Sequence, residues 1–208
     1  MILKITEPSG FETILPNILA EIERYVADNR STDQLKNQSI RIAIDGNCGS
    51  GKTTLAGLLA ERLDANLFHM DDFYISWKDK TPERLAEPGG NVDYERFYEE
   101  VLLPLISGKP FSYRKFNPIE QALDVPEAVV PKPFTIVEGA YALHPKLKSG
   151  YDFKILLKIT PDLQESRILK RNGIESLNRF KMMWIPLENA YFEAYPLDTE
   201  VDLIIEVC

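Results

Sequence analysis

Short apolar runs alternate along this chain with longer stretches of helical period. Apolar side chains recur at Phe11, Ile14, Leu15, Ile18, Leu19, Ile22, Tyr25 and Val26, the three-and-four spacing that predicts a helix over 11–28. Residues 29–38 are polar and predict a linker. Ile40 then leads into Arg41-Ile42-Ala43-Ile44-Asp45, a buried strand, and Thr53 to Leu63 predicts a helix. Asn66-Leu67-Phe68-His69-Met70 predicts a second strand, residues 76–92 a loop, and Tyr94 to Ile106 a helix, with Pro104 a point at which it could close early. The stretch from Phe111 to Pro133, with its prolines, predicts irregular or hairpin structure. Phe134 to Glu138 and Phe153 to Ile159 predict further strands, followed by a helix from about Pro161 to Lys170. Pro186 stands near the start of a later helix through Tyr195, and Val201 to Val207 is a final strand.

Strands alternating with helices predict an α/β fold, with a mostly parallel five-stranded sheet and helices on both faces. Ligands of such sheets sit at the C-terminal strand ends. The length of 208 residues fits one such domain. We divide it into an N-terminal helix and linker, residues 1–38, packed on a domain of residues 39–208.

Charge narrows the partners. A formal net charge of −8 offers nucleic acids and anionic membranes no general attraction, so neither is an expected partner. An anion must then be held by a local arrangement, and a small molecule is the expected ligand. No apolar run reaches the roughly 20 residues of a membrane span, and no secretory signal opens the chain. Cys48 and Cys208 are the two cysteines, too few and too ill-placed for a structural disulfide. A cytoplasmic protein is the expectation, and a homo-oligomer is compatible with it.

The segment Gly46-Asn47-Cys48-Gly49-Ser50-Gly51-Lys52-Thr53 has the full spacing G-x-x-x-x-G-K-[ST]. Glycines let the backbone curl until several N–H groups face one anion, and the helix that follows through Thr54 adds the positive end of its dipole. Lys52 is placed to reach the β- and γ-phosphates of a nucleoside triphosphate, and the Thr53 hydroxyl to ligate Mg²⁺. ATP or GTP with Mg²⁺ are the expected cofactors, on a P-loop NTPase fold. A guanine-reading Asn-Lys-x-Asp motif is absent. Asp71 and Asp72 follow the second strand in His69-Met70-Asp71-Asp72-Phe73-Tyr74. One can accept a proton from an attacking hydroxyl, and the other can help hold the metal through water.

Together with Gly90-Asn91-Val92-Asp93 and Val137-Glu138-Gly139-Ala140-Tyr141-Ala142-Leu143-His144, these segments resemble the uridine kinase family. That family is grouped with phosphoribulokinase and pantothenate kinase, and the resemblance covers roughly residues 40–207. It implies that Asp71 is the general base, that Tyr74 lines the acceptor pocket and that Asp93 holds sugar hydroxyls. It places Glu138 near Mg²⁺. Arg167 and Arg171 would belong to a helical lid that closes over the triphosphate; they lie four residues apart on one helix face. Tyr113, Arg114 and Phe116 fall where the family forms a hairpin against the base. The family's histidine after that aromatic pair is replaced here by Asn117-Pro118-Ile119-Glu120. The implied activity is transfer of the γ-phosphate to a primary hydroxyl of a nucleoside-like acceptor, uridine or cytidine first. Two alternatives stand beside it. One is a kinase for pantothenate, a sugar phosphate or a nicotinamide riboside type of acceptor. The other is a nucleotide-binding regulatory module without catalysis.

Overall fold

The computed structural model describes residues 1–6, 10–30 and 39–208. The chain begins with strand β1 (Ile2–Ile5), a 3₁₀ turn Phe11–Thr13 and helix α1 (Leu15–Arg30). Strand β2 (Ile40–Gly46) leads through the glycine loop into α2 (Lys52–Leu63) and β3 (Ala65–His69). Two short helices follow, α3 (Pro82–Ala86) and α4 (Tyr94–Phe97). Helix α4 runs on through a π-helical turn, Tyr98–Leu102, into α5 (Leu103–Ser107). Next come the small strands β4 (Phe111–Tyr113), β5 (Phe116–Asn117), β6 (Ala122–Leu123) and β7 (Glu127–Val129). Strands β8 (Phe134–Glu138) and β9 (Phe153–Ile159) precede α6 (Pro161–Arg179). The chain closes with α7 (Ile185–Ala194) and β10 (Leu203–Val207).

The main sheet has the order β1-β10-β9-β2-β8-β3, and every pairing in it is parallel. Alternation along each strand sorts side chains to two faces. Ile42, Ile44, Ile136, Ile155, Leu157 and Ile205 join α1 and α2 in one core. Ala43, Val137 and Leu156 join α4, α5 and α7 in the other. Burial on both faces explains why the strands read as continuous apolar runs.

Several expectations change. The sheet has six strands where five were expected, because Ile2–Ile5 pairs with β10 in register Ile2↔Ile204 to Ile5↔Val207. A four-residue edge strand with Lys4 in its middle carries too short a pattern to be noticed. The loop expected over 76–92 contains α3, whose N-cap Thr81 accepts from the Arg84 amide. Pro104 does not close its helix: the wider π turn just before it absorbs the missing N–H. The helix after Pro161 continues to Arg179, broken in direction at Gly173, whose φ is 79°. The hairpin expectation for 111–133 holds as two antiparallel pairs, β4 with β7 and β5 with β6. Residues 31–38 of the expected linker lie outside the described residues, while 29 and 30 are helical. Among the described residues no helix is long and apolar enough to cross a membrane, and both cysteines are free.

Candidate active site

The glycine loop leaves β2 at the C-terminal edge of the sheet, between β8 and β9. Gly46 must be glycine: a Cβ there would lie 2.1 Å from the carbonyl oxygen of Leu157, at a φ of 144°. No side chain caps α2, so its first-turn amides keep the open, anion-seeking end of a helix. Lys52 is buried, and its ammonium donates to Gly46 O at 2.8 Å and Asn47 O at 2.9 Å. The outer wall of the loop is also held. Gln164 donates to Cys48 O at 3.0 Å, and Arg167 donates to Gly49 O at 2.9 Å and Ser50 O at 3.2 Å.

Asp45, the residue before the loop, is wholly buried and collects four donors. They are the amides of Gly46 (2.7 Å), Tyr141 (3.1 Å) and Leu143 (2.8 Å) and the hydroxyl of Tyr191 (2.9 Å). Its carboxylate therefore pins the loop after β8 and helix α7 to the base of the glycine loop. Burial still pushes its pKa upward against those hydrogen bonds.

Above the loop lies a cavity of ≈ 880 Å³, in the range that holds small ligands. Cys48, Gly49, Gly51, Lys52, Thr53 and Thr54 form its floor, and Asp71, Tyr74, Glu138, Arg167 and Arg171 stand around it. Asp71 sits in the 3₁₀ turn after β3, open to the cavity, and its Oδ1 accepts from the Tyr74 hydroxyl at 3.1 Å. The cavity walls strip solvent from it and raise its pKa. Lys52 opposes that shift and Glu138 adds to it. Glu138 ends β8 beside His69, its register partner on β3. Its Oε1 accepts from the Thr53 hydroxyl at 3.1 Å and meets His69 Nδ1 at 2.6 Å, and that contact raises the His69 pKa.

These donors suit Mg²⁺, which takes one or two protein oxygens and completes its octahedron with phosphate and water. Thr53 and Glu138 present such a pair, and among the described residues no cluster of three or more ligating side chains competes with it.

Other expected site residues lie elsewhere. Asp72 is outside the cavity, facing Lys115 at 3.9 Å, so it does not stand with Thr53 and Glu138 as a metal partner. A 3₁₀ turn points successive side chains apart by about a third of a revolution, which separates it from Asp71. Asp93 caps α4 through the Arg96 amide at 3.0 Å and lines a second cavity of ≈ 680 Å³ with Phe116; Tyr74 lines both cavities. Tyr113 is buried against Phe68 and Phe73, and Arg114 is exposed and paired with Glu100. Neither lines either of these two cavities: Tyr113 is spent on the core and Arg114 on its ion pair. Arg171 lines the main cavity, while its Nε bonds Asn172.

Two residues that carried no chemical expectation enter the site. Glu188 is 4% exposed, and both its oxygens accept from the Cys48 amide, at 3.1 and 2.9 Å. Burial raises its pKa, and its charge helps lift the Cys48 thiol to about 12, where burial is the main cause. An acidic residue three positions before the buried Tyr191, on the same helix face, is the signal that could have found it. Asn91, 2% exposed, lines the same cavity with Nδ2 and Oδ1 both lacking hydrogen-bond partners. The Tyr141 hydroxyl is near enough to be influenced by it.

No protein-family profile matches the chain, and no curated protein matches it at a significant level. Solved structures do. A fructose transport system kinase candidate from Silicibacter sp. TM1040 superposes with a TM-score of 0.72 at 23% identity, covering 91% of this chain and 98% of that one. A possible uridine kinase from Bacillus stearothermophilus gives 0.62 at 19%, covering 88% and 97%. D-glycerate 3-kinase from Cryptococcus neoformans var. grubii gives 0.57 at 14%, covering 86% and 89%. At these identities the likeness establishes the fold, an α/β fold shared with P-loop kinases.

Proposed function

We propose that the protein is a small-molecule kinase that transfers the γ-phosphoryl group of a Mg²⁺-bound nucleoside triphosphate to an alcohol. One observation carries this reading. Asp71, a carboxylate with a raised pKa, faces the cavity whose floor is Lys52 and the glycine loop. Such a group is suited to take the proton from an acceptor hydroxyl as its oxygen attacks phosphorus. The Tyr74 hydroxyl orients Asp71 and flanks the acceptor. Loop amides and Lys52 hold the phosphates and stabilise charge on the departing diphosphate. Thr53 and Glu138 are the residues that would hold Mg²⁺, whose contribution is to neutralise the phosphate oxygens. Arg167 and Arg171 stand at the rim, where closure of α6 would exclude water and limit hydrolysis.

For the acceptor we infer a nucleoside-like compound, uridine or cytidine first. The second cavity supports this, since a sugar at Tyr74 could extend a base toward Phe116 and Asp93. Burial of Tyr113 favours a second reading, a sugar or sugar acid that stays in the main cavity with Asn91. The structural neighbours, named as uridine, fructose and glycerate kinases, include both classes.

The test is a transfer assay with labelled ATP and GTP against uridine, cytidine, fructose, glycerate and pantothenate. Phosphorylation of any alcohol that is abolished in Asp71→Asn supports the kinase reading. Tight triphosphate binding without acceptor-dependent turnover would overturn it in favour of a regulatory module.

A further inference from the structure

Asn91 is buried as completely as a core residue, yet among the described residues no group hydrogen-bonds its side-chain amide, at Nδ2 or at Oδ1. Taking an amide out of water without replacing its hydrogen bonds is unfavourable, so a buried amide left in this way calls for an explanation. The backbone around it is firmly held. Arg84 grips both neighbours: its Nε donates to Gly90 O at 2.8 Å and its Nη2 to Val92 O at 2.9 Å. The Asn91 carbonyl accepts from the Ile75 amide at 3.3 Å. Gly90 packs so closely that a Cβ there would lie 1.9 Å from Arg84 O. The fixed backbone keeps the Asn91 side chain in the wall of the main cavity, with Asp71, Tyr74, Tyr141 and Glu188.

Tyr141 is fixed in the same wall with a φ of 72°, a left-handed conformation that tyrosine seldom adopts. Its amide donates to the buried Asp45 Oδ1 at 3.1 Å, which holds the residue there. Strain maintained by surrounding contacts is a feature of ligand sites.

Fixed charge in this part of the cavity has one sign. Burial raises the pKa of the Tyr74 hydroxyl, and Asp71 and Glu188 add to the rise. Burial likewise raises that of Tyr141, with Glu188 and Asp45 adding to it. Both phenols therefore stay neutral beside carboxylates. Among the described residues the cations that line this cavity are Lys52, Arg167 and Arg171. Lys52 and Arg167 bond carbonyls of the glycine loop, and Arg171 bonds Asn172. Lys80 lies over the rings of Trp77 and Trp184, at 4.3 and 5.2 Å from their centroids, and lines neither cavity.

We propose that Asn91 and Tyr141 select the acceptor by charge: they bind an uncharged hydroxyl of the acceptor, and hydroxy acids and phosphorylated sugars are rejected. The proposal rests on the kinase reading above and adds the charge class of the acceptor. A hydroxyl can accept from Nδ2 and donate to Oδ1, so it completes both halves of the Asn91 amide. A carboxylate or a phosphate ester can only accept. It would leave Oδ1 unpaired and bring a negative charge beside Asp71 and Glu188, a repulsive contact that discriminates against it. Asp93, the residue expected to hold sugar hydroxyls, caps α4 in the second cavity and does not line this one.

The test has two arms. The first measures transfer from labelled ATP to acceptors paired by charge: uridine and its 3′-phosphate, fructose and fructose 6-phosphate, glycerol and glycerate, pantothenol and pantothenate. In each pair that is turned over, we expect the uncharged member to lead by about tenfold or more in kcat/KM. The second arm is Asn91→Leu, which keeps the branched shape of the side chain and removes its polar atoms. Its urea midpoint should equal or exceed that of the unmodified chain, because an unpaired amide gives way to apolar atoms. Its KM for the best acceptor should rise about tenfold, and Tyr141→Phe should raise it in the same direction. An anionic member that matches or outpaces its uncharged partner overturns the proposal and leaves the kinase reading standing. So does a lower midpoint for Asn91→Leu, which would make the amide structural, or an unchanged KM in both variants. Absence of transfer to every acceptor of either charge would instead sink the kinase reading, and this proposal with it.

Discussion

His144 should make the stability of this protein fall steeply below neutral pH. Its ring is 1% exposed, stacks on Tyr94 with centroids 4.0 Å apart and meets the edge of Tyr195 at 5.9 Å. Nδ1 accepts from the Lys146 amide at 3.3 Å, so the neutral ring carries its proton on Nε2, an atom without a partner. A second proton would add charge to a buried ring with no acceptor to receive it. Burial accordingly lowers the pKa from an ordinary 6.5 to about 4; Glu87 and Glu95 pull it upward, and Arg84 and Lys146 push it further down. Between these two values the unfolded chain binds a proton that the native chain refuses, so stability rises with pH across the window and is lost as pH falls through it. Two titration curves with midpoints at 6.5 and about 4 differ by about 2 kcal/mol at pH 5, relative to pH 7.5. For a chain of 208 residues that corresponds to a shift of roughly 4–8 °C in Tm. Urea unfolding at pH 7.5 and 5.0 should be run on the unmodified chain and on His144→Phe, which keeps the stack and cannot titrate. Carboxylate titrations elsewhere are common to both and cancel. The expected result is a pH-induced loss about 2 kcal/mol smaller in the variant; parallel losses in the two proteins would refute the argument.

Three further outcomes follow from the site. Asp71→Asn should lower kcat by about 10²–10⁴-fold with triphosphate binding retained, and in the unmodified enzyme kcat/KM should decline toward acid with an inflection above the ordinary carboxylate value near 4, read from a pH-rate profile. Asp45→Asn replaces acceptor capacity with an NH₂ group facing the Leu143 amide and the Tyr191 hydroxyl, which should cost about 2–3 kcal/mol in urea unfolding. Tyr191→Phe should cost about 1 kcal/mol alone and close to nothing in the presence of Asp45→Asn, and additive losses would show that the two side chains are not coupled. Glu188→Gln retains an acceptor for the Cys48 amide but removes a negative charge from the anion loop. Tripolyphosphate should then bind several-fold tighter by calorimetry, because a negative charge bordering the loop is removed.

The parts of the site legible in the sequence are those whose chemistry is local. Gly46 to Thr53 must be contiguous, because one curled backbone and one helix end make the anion site. Asp71 and Tyr74, three residues apart in one short turn, likewise needed no distant partner to be recognised. Tyr113 was less legible for the opposite reason. An aromatic residue on a two-sided hairpin can serve a ligand or the core, and only the position of Phe68 and Phe73 sends Tyr113 to the core. Asp71 and Asp72 are equivalent as a dipeptide, and it is the turn after β3 that aims one at Lys52 and the other at Lys115.

The sequence by itself determined the alternation of strands and helices, the parallel sheet and the phosphate loop, because periodicity and a contiguous motif are properties of neighbouring residues. Tertiary structure alone decided which groups meet across long separations. Glu188 reaches Cys48 over 140 residues, and β1 lies beside β10 at the other end of the chain, bringing Phe11 onto Gly51. Those contacts depend on the order in which strands join the sheet, and that order depends on packing between elements, to which the residue pattern within any one of them is indifferent.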